Sequence, residues 1–285
     1  MRAALEQMAE RCVEALAARD PGRLTLAKDA RYTENGVELP LGRGLWRTAS
    51  GLRDTYRLTV ADPEAGQAVH FRVIEENGDP VFLVVRIRAD GKTISQIEAL
   101  VARDPESAGA ITPLDPSFFE TVPANMRTPR EEMHGLADRY FDAIEISDAG
   151  DLQFDPRCTR RENGDQSTSN PGRTEDFVGD GFHGYALDCK AQFATRMWSF
   201  IEAVTDRRHV AVDEARGLLV DIVSFQHPGL PTSFTAPSGA QIAMPGYGRR
   251  PSTFVIAELF KFEAGCFRQI EVIGVPLPYG ASQGW

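Results

Sequence analysis

Residues 5–36 read LEQMAERCVEALAARDPGRLTLAKDARYTENG, and residues 133–164 read MHGLADRYFDAIEISDAGDLQFDPRCTRRENG. At a shift of 128 the two stretches align without a gap, and nine of the 32 positions are identical, from Ala9/Ala137 to Glu34/Glu162, Asn35/Asn163 and Gly36/Gly164. Several of the differences exchange one apolar core residue for another, such as Leu5/Met133, Met8/Leu136, Val13/Phe141 and Leu16/Ile144. A repeat of this length implies two copies of one domain, since solenoid units run about 20–50 residues. Function is therefore to be sought where the copies diverge.

Working outward, Leu5, Met8, Ala9, Cys12, Val13 and Leu16 recur at helical spacing, as do Met133, Leu136, Ala137, Tyr140, Phe141 and Ile144. Each helix runs into an Asp-x-Gly at 20–22 or 148–150, and each copy then reaches an Asn-Gly turn. After that the pattern is β: Val69–Glu75, Val81–Arg88 and Ile94–Val101 in the first copy, Leu218–Gln226, Thr253–Phe262 and Phe267–Ile273 in the second. Both copies close on Gln-Ile-Glu, at 96–98 and 269–271. The expected fold is α+β, with two tandem domains, each an N-terminal helix on a curved antiparallel sheet. The boundaries are 1–103 for the first domain, 104–129 for a Pro-rich linker and 130–285 for the second. The second copy carries two insertions, 165–190 and 228–251, rich in Gly, Ser, Asn and Pro. Long loops of this kind are usually functional lids or disordered segments.

The chain has 285 residues, 42% hydrophobic and 25% charged, enough for two cores. A net charge of −10 argues against nucleic acid, whose phosphates are bound chiefly by Lys and Arg. No stretch approaches the ~20 apolar residues of a membrane span. The acidic N-terminal helix (Glu6, Glu10, Glu14) is unlike a secretory or transit signal, so a cytoplasmic location is expected. Cys12, Cys158, Cys189 and Cys266 show no paired spacing, and His70, His134, His183, His209 and His227 show neither HxH nor HxxxH. A P-loop motif is absent from the sequence. No metal and no cofactor are expected; acid–base side chains would carry any chemistry. The expected partner is a small aromatic substrate, and homo-oligomerisation is left open.

Helix first, then long strands ending in Gln-Ile-Glu, resembles the cone-shaped nuclear transport factor 2-like (SnoaL-like) superfamily, and within it an uncharacterised-domain family of fungi and bacteria. The motifs are Arg31-Tyr32-Thr33-Glu34-Asn35-Gly36, Gly42-x-Gly44-Leu45-Trp46, Leu83–Arg88, Ile94-x-Gln96-Ile97-Glu98 and, in the second half, Asp206-Arg207-Arg208 with Val212-Asp213-Glu214-x-x-Gly217. The resemblance implies a sheet wrapped around a helix with a pocket in the cone. It also implies a cofactor-independent lyase that cleaves lignin-derived diarylpropane-1,3-diols to a stilbene and formaldehyde through a quinone methide. Two alternatives stand beside it. One is a SnoaL-like isomerase or dehydratase on a polyketide- or terpene-like substrate; the other is a non-catalytic protein that binds hydrophobic ligands.

Polar residues on apolar strand faces are the candidates, since a buried charge is costly unless paired or functional. Arg86 alternates with Phe82 and Val84, Glu258 with Ile256 and Phe260, Asp221 with Leu219 and Val223, and His70 and Arg72 with Ile74. A register set by Phe82/Phe254 makes Arg86 and Glu258 equivalent positions. A salt bridge is the structural alternative for each. Tyr32 stands where the second copy has Arg160. The candidate catalytic residues are Tyr32, Arg86, Glu98, His70 and His183. Asn35, Trp46, Arg72, Lys190 and Tyr247 are candidates for binding substrate. In the lyase reading Arg86 or Lys190 holds a phenolate, Tyr32 or His183 protonates the leaving hydroxyl, and Glu98 or His70 takes the terminal hydroxyl proton. The first domain, covered by loops of the second, is the expected working half.

Overall fold

The computed structural model describes residues 1–103, 111–173, 184–236, 238–244, 246 and 248–285. The first half runs α1 (Arg2–Ala17), β1 (Leu26–Glu34), β2 (Val37–Glu38), α2 (Leu45–Thr48), β3 (Ala49–Asp62), β4 (Gln67–Glu76), β5 (Asp79–Asp90) and β6 (Thr93–Ala102). Its six strands form one sheet in the order β2-β1-β6-β5-β4-β3, with β1 parallel to β6 and the other neighbours antiparallel. The second half repeats this with α3 (Arg130–Ile146), β7 (Arg160–Glu162), β8 (Asp165–Gln166), β9 (Ala203–Asp213) and β10 (Leu218–His227). A short hairpin, β11 (Ser233–Thr235) and β12 (Gln241–Ala243), precedes β13 (Ser252–Glu263) and β14 (Cys266–Leu277). The second sheet has the matching order β8-β7-β14-β13-β10-β9. The chain is thus α+β with two similar halves.

Three separate cores explain why most strands are apolar on both faces. α1 buries Leu5, Ala9, Cys12, Val13 and Leu16 against Leu83, Val85 and Ile97 on the inner face of the first sheet. α3 does the same in the second half, with Tyr140, Phe141 and Ile144 against Leu219, Val223 and Phe260. Between them the outer faces of the two sheets pack on each other through Phe71, Phe82, Val84, Ile222, Leu259 and Ile273. The halves therefore share a continuous hydrophobic layer, stacked as helix, sheet, sheet, helix.

Polar links across this layer obey the internal repeat. Arg130 at the start of α3 donates to Asp62 at 2.8 Å, and Arg2 at the start of α1 pairs with Asp213, also at 2.8 Å. Arg2 and Arg130 are equivalent residues, as are Asp62 and Asp213. The shared asparagines are structural: Asn35 bonds both backbone groups of Val101, and Asn163 bonds both of Gly274. Each opens its turn with φ near +47°, a left-handed conformation that Asn tolerates better than most residues.

The ladders correct one expected register. Arg86 pairs with Glu98 across β5–β6, whereas Glu271, the counterpart of Glu98, pairs with Leu259 across β13–β14. Leu259 is thus the equivalent of Arg86, and Glu258 is the equivalent of Val85. A slip of one residue reverses the face, so Arg86 looks toward the other sheet while Glu258 looks into its own cone. Phe82/Phe254 misled because both faces of these strands are apolar and either register satisfies them.

Candidate functional site in the second cone

The polar groups of the first cone are mostly paired or neutral. Tyr32, buried, donates to Glu34 at 2.8 Å and meets Trp46 edge-on at 6.1 Å. His70 shares a 2.7 Å hydrogen bond between Nδ1 and Thr59 Oγ1; its Nε2 is buried without a partner, as is Trp46 Nε1. Burial, with Arg72 and Arg57 nearby, pulls the His70 pKa down to about 3, so the ring is neutral. Arg72 lies farther along the same strand, where it bonds the Arg53 carbonyl and the Asp54 carboxylate.

Arg86 and Glu98 are on the opposite face from Tyr32, His70 and Trp46. They form a buried pair at 2.6 Å, and Arg208 of the second half joins Glu98 at 2.6 Å. The Trp285 ring lies 4.7 Å from the Arg86 guanidinium. Lys190 donates to the Leu152 carbonyl at 3.0 Å. His183 and Tyr247 lie outside the described residues. The sequence candidates therefore divide among the first cone, the seam between the sheets and the loops.

The equivalent positions in the second cone carry charge. Where the first has Thr59 and His70, facing each other across β3–β4, the second has His209 and Asp221 across β9–β10. His209 Nδ1 is 2.8 Å from Asp221 Oδ1, and its Nε2 is 3.5 Å from Asp138 on α3. Asp221 is fully buried and Asp138 about half exposed, so the imidazole bridges interior and surface. His134 stacks on His209 at 4.2 Å. Where the first cone has Val85, the second has Glu258, directly opposite Asp221 on the neighbouring strand. Direct cross-strand partners have Cβ atoms about 5 Å apart. Cys12 is replaced by Tyr140 and Tyr32 by Arg160.

These groups perturb one another. Burial pushes the Glu258 carboxyl up to about 8, against opposition from Arg160 and the Tyr140 hydroxyl, so it is mostly protonated at pH 7. Burial raises Asp221 to about 6, with His209 opposing. For His209 burial acts downward, but the hydrogen bond and charge of Asp221, helped by Asp138, leave its pKa raised. The two form a hydrogen-bonded acid–imidazole pair. Asp221 Oδ2 and Glu258 Oε2 are both buried without a hydrogen-bond partner. Orphaned buried carboxyl oxygens are uncommon, because each costs about 1–3 kcal/mol.

Arg160 is held on the same inner face. It donates to Glu162 at 2.7 Å, Ser167 at 3.2 Å and Gln192 at 2.5 Å, and packs 4.5 Å over Trp198. Around this polar core stand Phe141, Phe193, Phe225, Phe260 and Trp198, all buried. His227 stacks on Phe254 and meets Phe200 edge-on, with Nε2 unpartnered; burial lowers its pKa to about 4. The second insertion contributes directly: Phe234, Ile242 and Met244, from the β11–β12 hairpin and its exit, are part of this cluster. The site is an aromatic interior with one neutral acid, one acid–histidine pair and one guanidinium. Asp221, Glu258 and Arg160 stood out in the sequence as strand-face or diverged positions. Tyr140 differs from Cys12 within the ungapped repeat, whereas His209 is visible only when both copies are laid on the ladders.

The model of one family matches residues 126–274, just over half the chain; its description is "domain of unknown function (DUF8021)". The chain belongs to that family. The match spans the second domain, where the charged interior lies. Among solved structures, a protein from Sphaerobacter thermophilus is similar at 15% identity, covering 34% of this chain and 94% of its own, with a TM-score of 0.27. A candidate polyketide cyclase from Xanthomonas campestris pv. campestris is similar at 16% identity, covering 35% and 90%, with a TM-score of 0.28. The comparison with curated proteins finds no match. Among the described residues no helix is long and apolar enough to cross a membrane, and no group of three or more His, Cys, Asp and Glu side chains is placed to hold a metal ion.

Proposed function

We propose that this protein is an acid–base enzyme whose reaction takes place inside the second cone, on a hydroxylated aromatic substrate. The observation that carries this reading is the facing pair Asp221 and Glu258, each buried with a free oxygen in an aromatic enclosure. Two carboxyls whose environments push their pKa values apart are suited to opposite proton-transfer roles. Glu258, protonated near neutrality, is the acid; Asp221, coupled to His209, is the base.

The reaction that best uses all the groups is the deformylating cleavage of a diarylpropane-1,3-diol. Arg160, whose charge already acts on Glu258, holds the substrate phenolate. The phenolate expels the benzylic hydroxyl as water once Glu258 delivers a proton, leaving a quinone methide. Asp221 then takes the proton of the terminal hydroxyl. The carbon–carbon electrons flow into the quinone methide, formaldehyde departs, and the phenolate is restored on a stilbene. The balance is diol to stilbene, formaldehyde and water. The proton lost to Asp221 reaches solvent through His209 and Asp138. A dehydratase would use the same two carboxyls and stop after loss of water.

Incubation with an erythro-diarylpropane-1,3-diol distinguishes these outcomes. Equal stilbene and formaldehyde, persisting in EDTA and lost in Glu258→Gln and Asp221→Asn, is the expected result. Water loss without formaldehyde would put the dehydratase forward. Turnover that survives both substitutions would remove the second cone as the site.

A further inference from the structure

A separate cavity of about 330 Å³ lies on the other side of the second sheet, between the segment 112–118 and the ends of β7 and β14. Its walls combine Leu114, Phe118 and Ile270 with Arg161, Gln269 and Thr159. Arg160 and Arg161 are consecutive strand residues and point to opposite faces, so this cavity is distinct from the cone interior.

Arg161 is incompletely used. Its Nε donates to Glu271 at 2.9 Å, and its Nη1 donates to Thr112 Oγ1 at 2.6 Å and to the Pro113 carbonyl at 3.0 Å. Its Nη2 is buried with no partner. Glu271 also accepts from Tyr56 at 2.9 Å, and burial raises its pKa to about 7 despite Arg161. The guanidinium is therefore incompletely neutralised at neutral pH. Asp115 is the other acid at the wall, and its oxygens are already engaged by Gln269 and the Ser117 amide.

The internal repeat shows what such a space accommodates. In the first half the counterpart of Arg161 is Thr33, and Trp285 donates to its hydroxyl at 2.9 Å. The indole lies 4.5 Å from Arg31 and 4.7 Å from Arg86, covering the same region of the first sheet. The shift of 173 that relates β6 to β14 relates Thr112 to Trp285. The second half thus has a threonine in place of an aromatic ring, and a cavity beside it.

We infer that this cavity binds a small monocyclic aromatic carboxylate, its ring taking the place that Trp285 occupies in the other half and its carboxylate meeting the Arg161 guanidinium. The volume lies at the small end of the range for ligand sites, about 300–1,000 Å³. A carboxylate on a buried guanidinium forms the stronger, charge-assisted class of hydrogen bond.

Calorimetric titration with benzoate tests this, because it needs no turnover. Benzoate is expected to bind the wild-type protein at one site, with benzyl alcohol binding more weakly. Arg161→Gln should weaken benzoate by about tenfold or more, the worth of one hydrogen bond to a charged group. Thr112→Trp should abolish binding by filling the space, without lowering the melting temperature. Glu258→Gln should bind benzoate as well as the wild type does, which separates this site from the proposed catalytic one. Absence of saturable binding at millimolar benzoate, or binding unchanged by both Arg161→Gln and Thr112→Trp, would overturn the inference.

Discussion

The two cones share a scaffold and differ in what they bury. Thr59 and His70 in the first hold a neutral hydrogen bond; His209 and Asp221 at the same rungs of the second hold a hydrogen-bonded acid–imidazole pair. Val85 gives way to Glu258, Cys12 to Tyr140 and Tyr32 to Arg160. An apolar interior needs no partner groups, whereas buried carboxyls raise the free energy of the fold and persist where something else repays that cost. One scaffold thus carries two interiors: the first half buries a neutral imidazole where the second buries two facing carboxyls. The aromatic filling of the second cone, partly supplied by its own inserted hairpin, fits the same division.

The test with the largest expected effect is removal of the acid or base. Glu258→Gln and Asp221→Asn should each lower stilbene formation by about 10²–10⁴-fold, the usual worth of a positioned acid or base. His70→Gln in the first cone should leave turnover within about twofold, since its imidazole is a neutral core group. Equal losses from both cones would break the comparison.

Stability against pH sharpens it next. Glu258 has a folded pKa raised to about 8 from an ordinary 4.5, so between these values the folded state holds a proton that the unfolded chain releases. Stability must therefore fall as pH rises through that window, by on the order of 5 kcal/mol once pH exceeds the folded pKa. Asp221 adds a smaller loss between 3.8 and about 6. Urea titrations from pH 4.5 to 9 should show Glu258→Gln flattening the profile and exceeding wild-type stability at the alkaline end. A wild-type profile that rises with pH would contradict a protonated Glu258.

Arg86→Met probes the seam that joins the cones. It removes one partner of a buried pair and should cost about 3 kcal/mol in chemical denaturation, less than an isolated pair would because Arg208 still faces Glu98. Turnover per folded molecule should stay near the wild-type value, which separates a structural arginine from the catalytic role that the sequence suggested. The smallest effect is expected from the relay: His209→Gln should reduce turnover by about tenfold, the equivalent of one supporting hydrogen bond, and displace the acidic limb of the pH–rate profile.

Much of the fold was legible in the sequence because it rests on local signals. Helical spacing at Leu5–Leu16 and Met133–Ile144, paired Asn-Gly turns and two terminal Gln-Ile-Glu strands were enough for two copies of one α+β unit. The β3 and β9 strands escaped, since Ser50–Asp54 and Asp206–Arg208 interrupt their apolar patterns. The candidate site was legible only in fragments. Asp221, Glu258 and Arg160 were conspicuous singly, but the strands that carry the two acids are apolar on both faces, and no alternation says which face is the inside.

Taken alone, the sequence determined that there are two copies and which positions diverged, because repetition and turn chemistry are properties of neighbouring residues. Only the tertiary structure decided that Glu258 matches Val85 and not Arg86, that Arg86 and Glu98 belong to the seam, and that His209, Asp221, Glu258, Tyr140 and Arg160 share one interior. The physical reason is strand register. It is set by packing between sheets and across ladders far apart in the chain, and one residue of slip sends a charge to the other face.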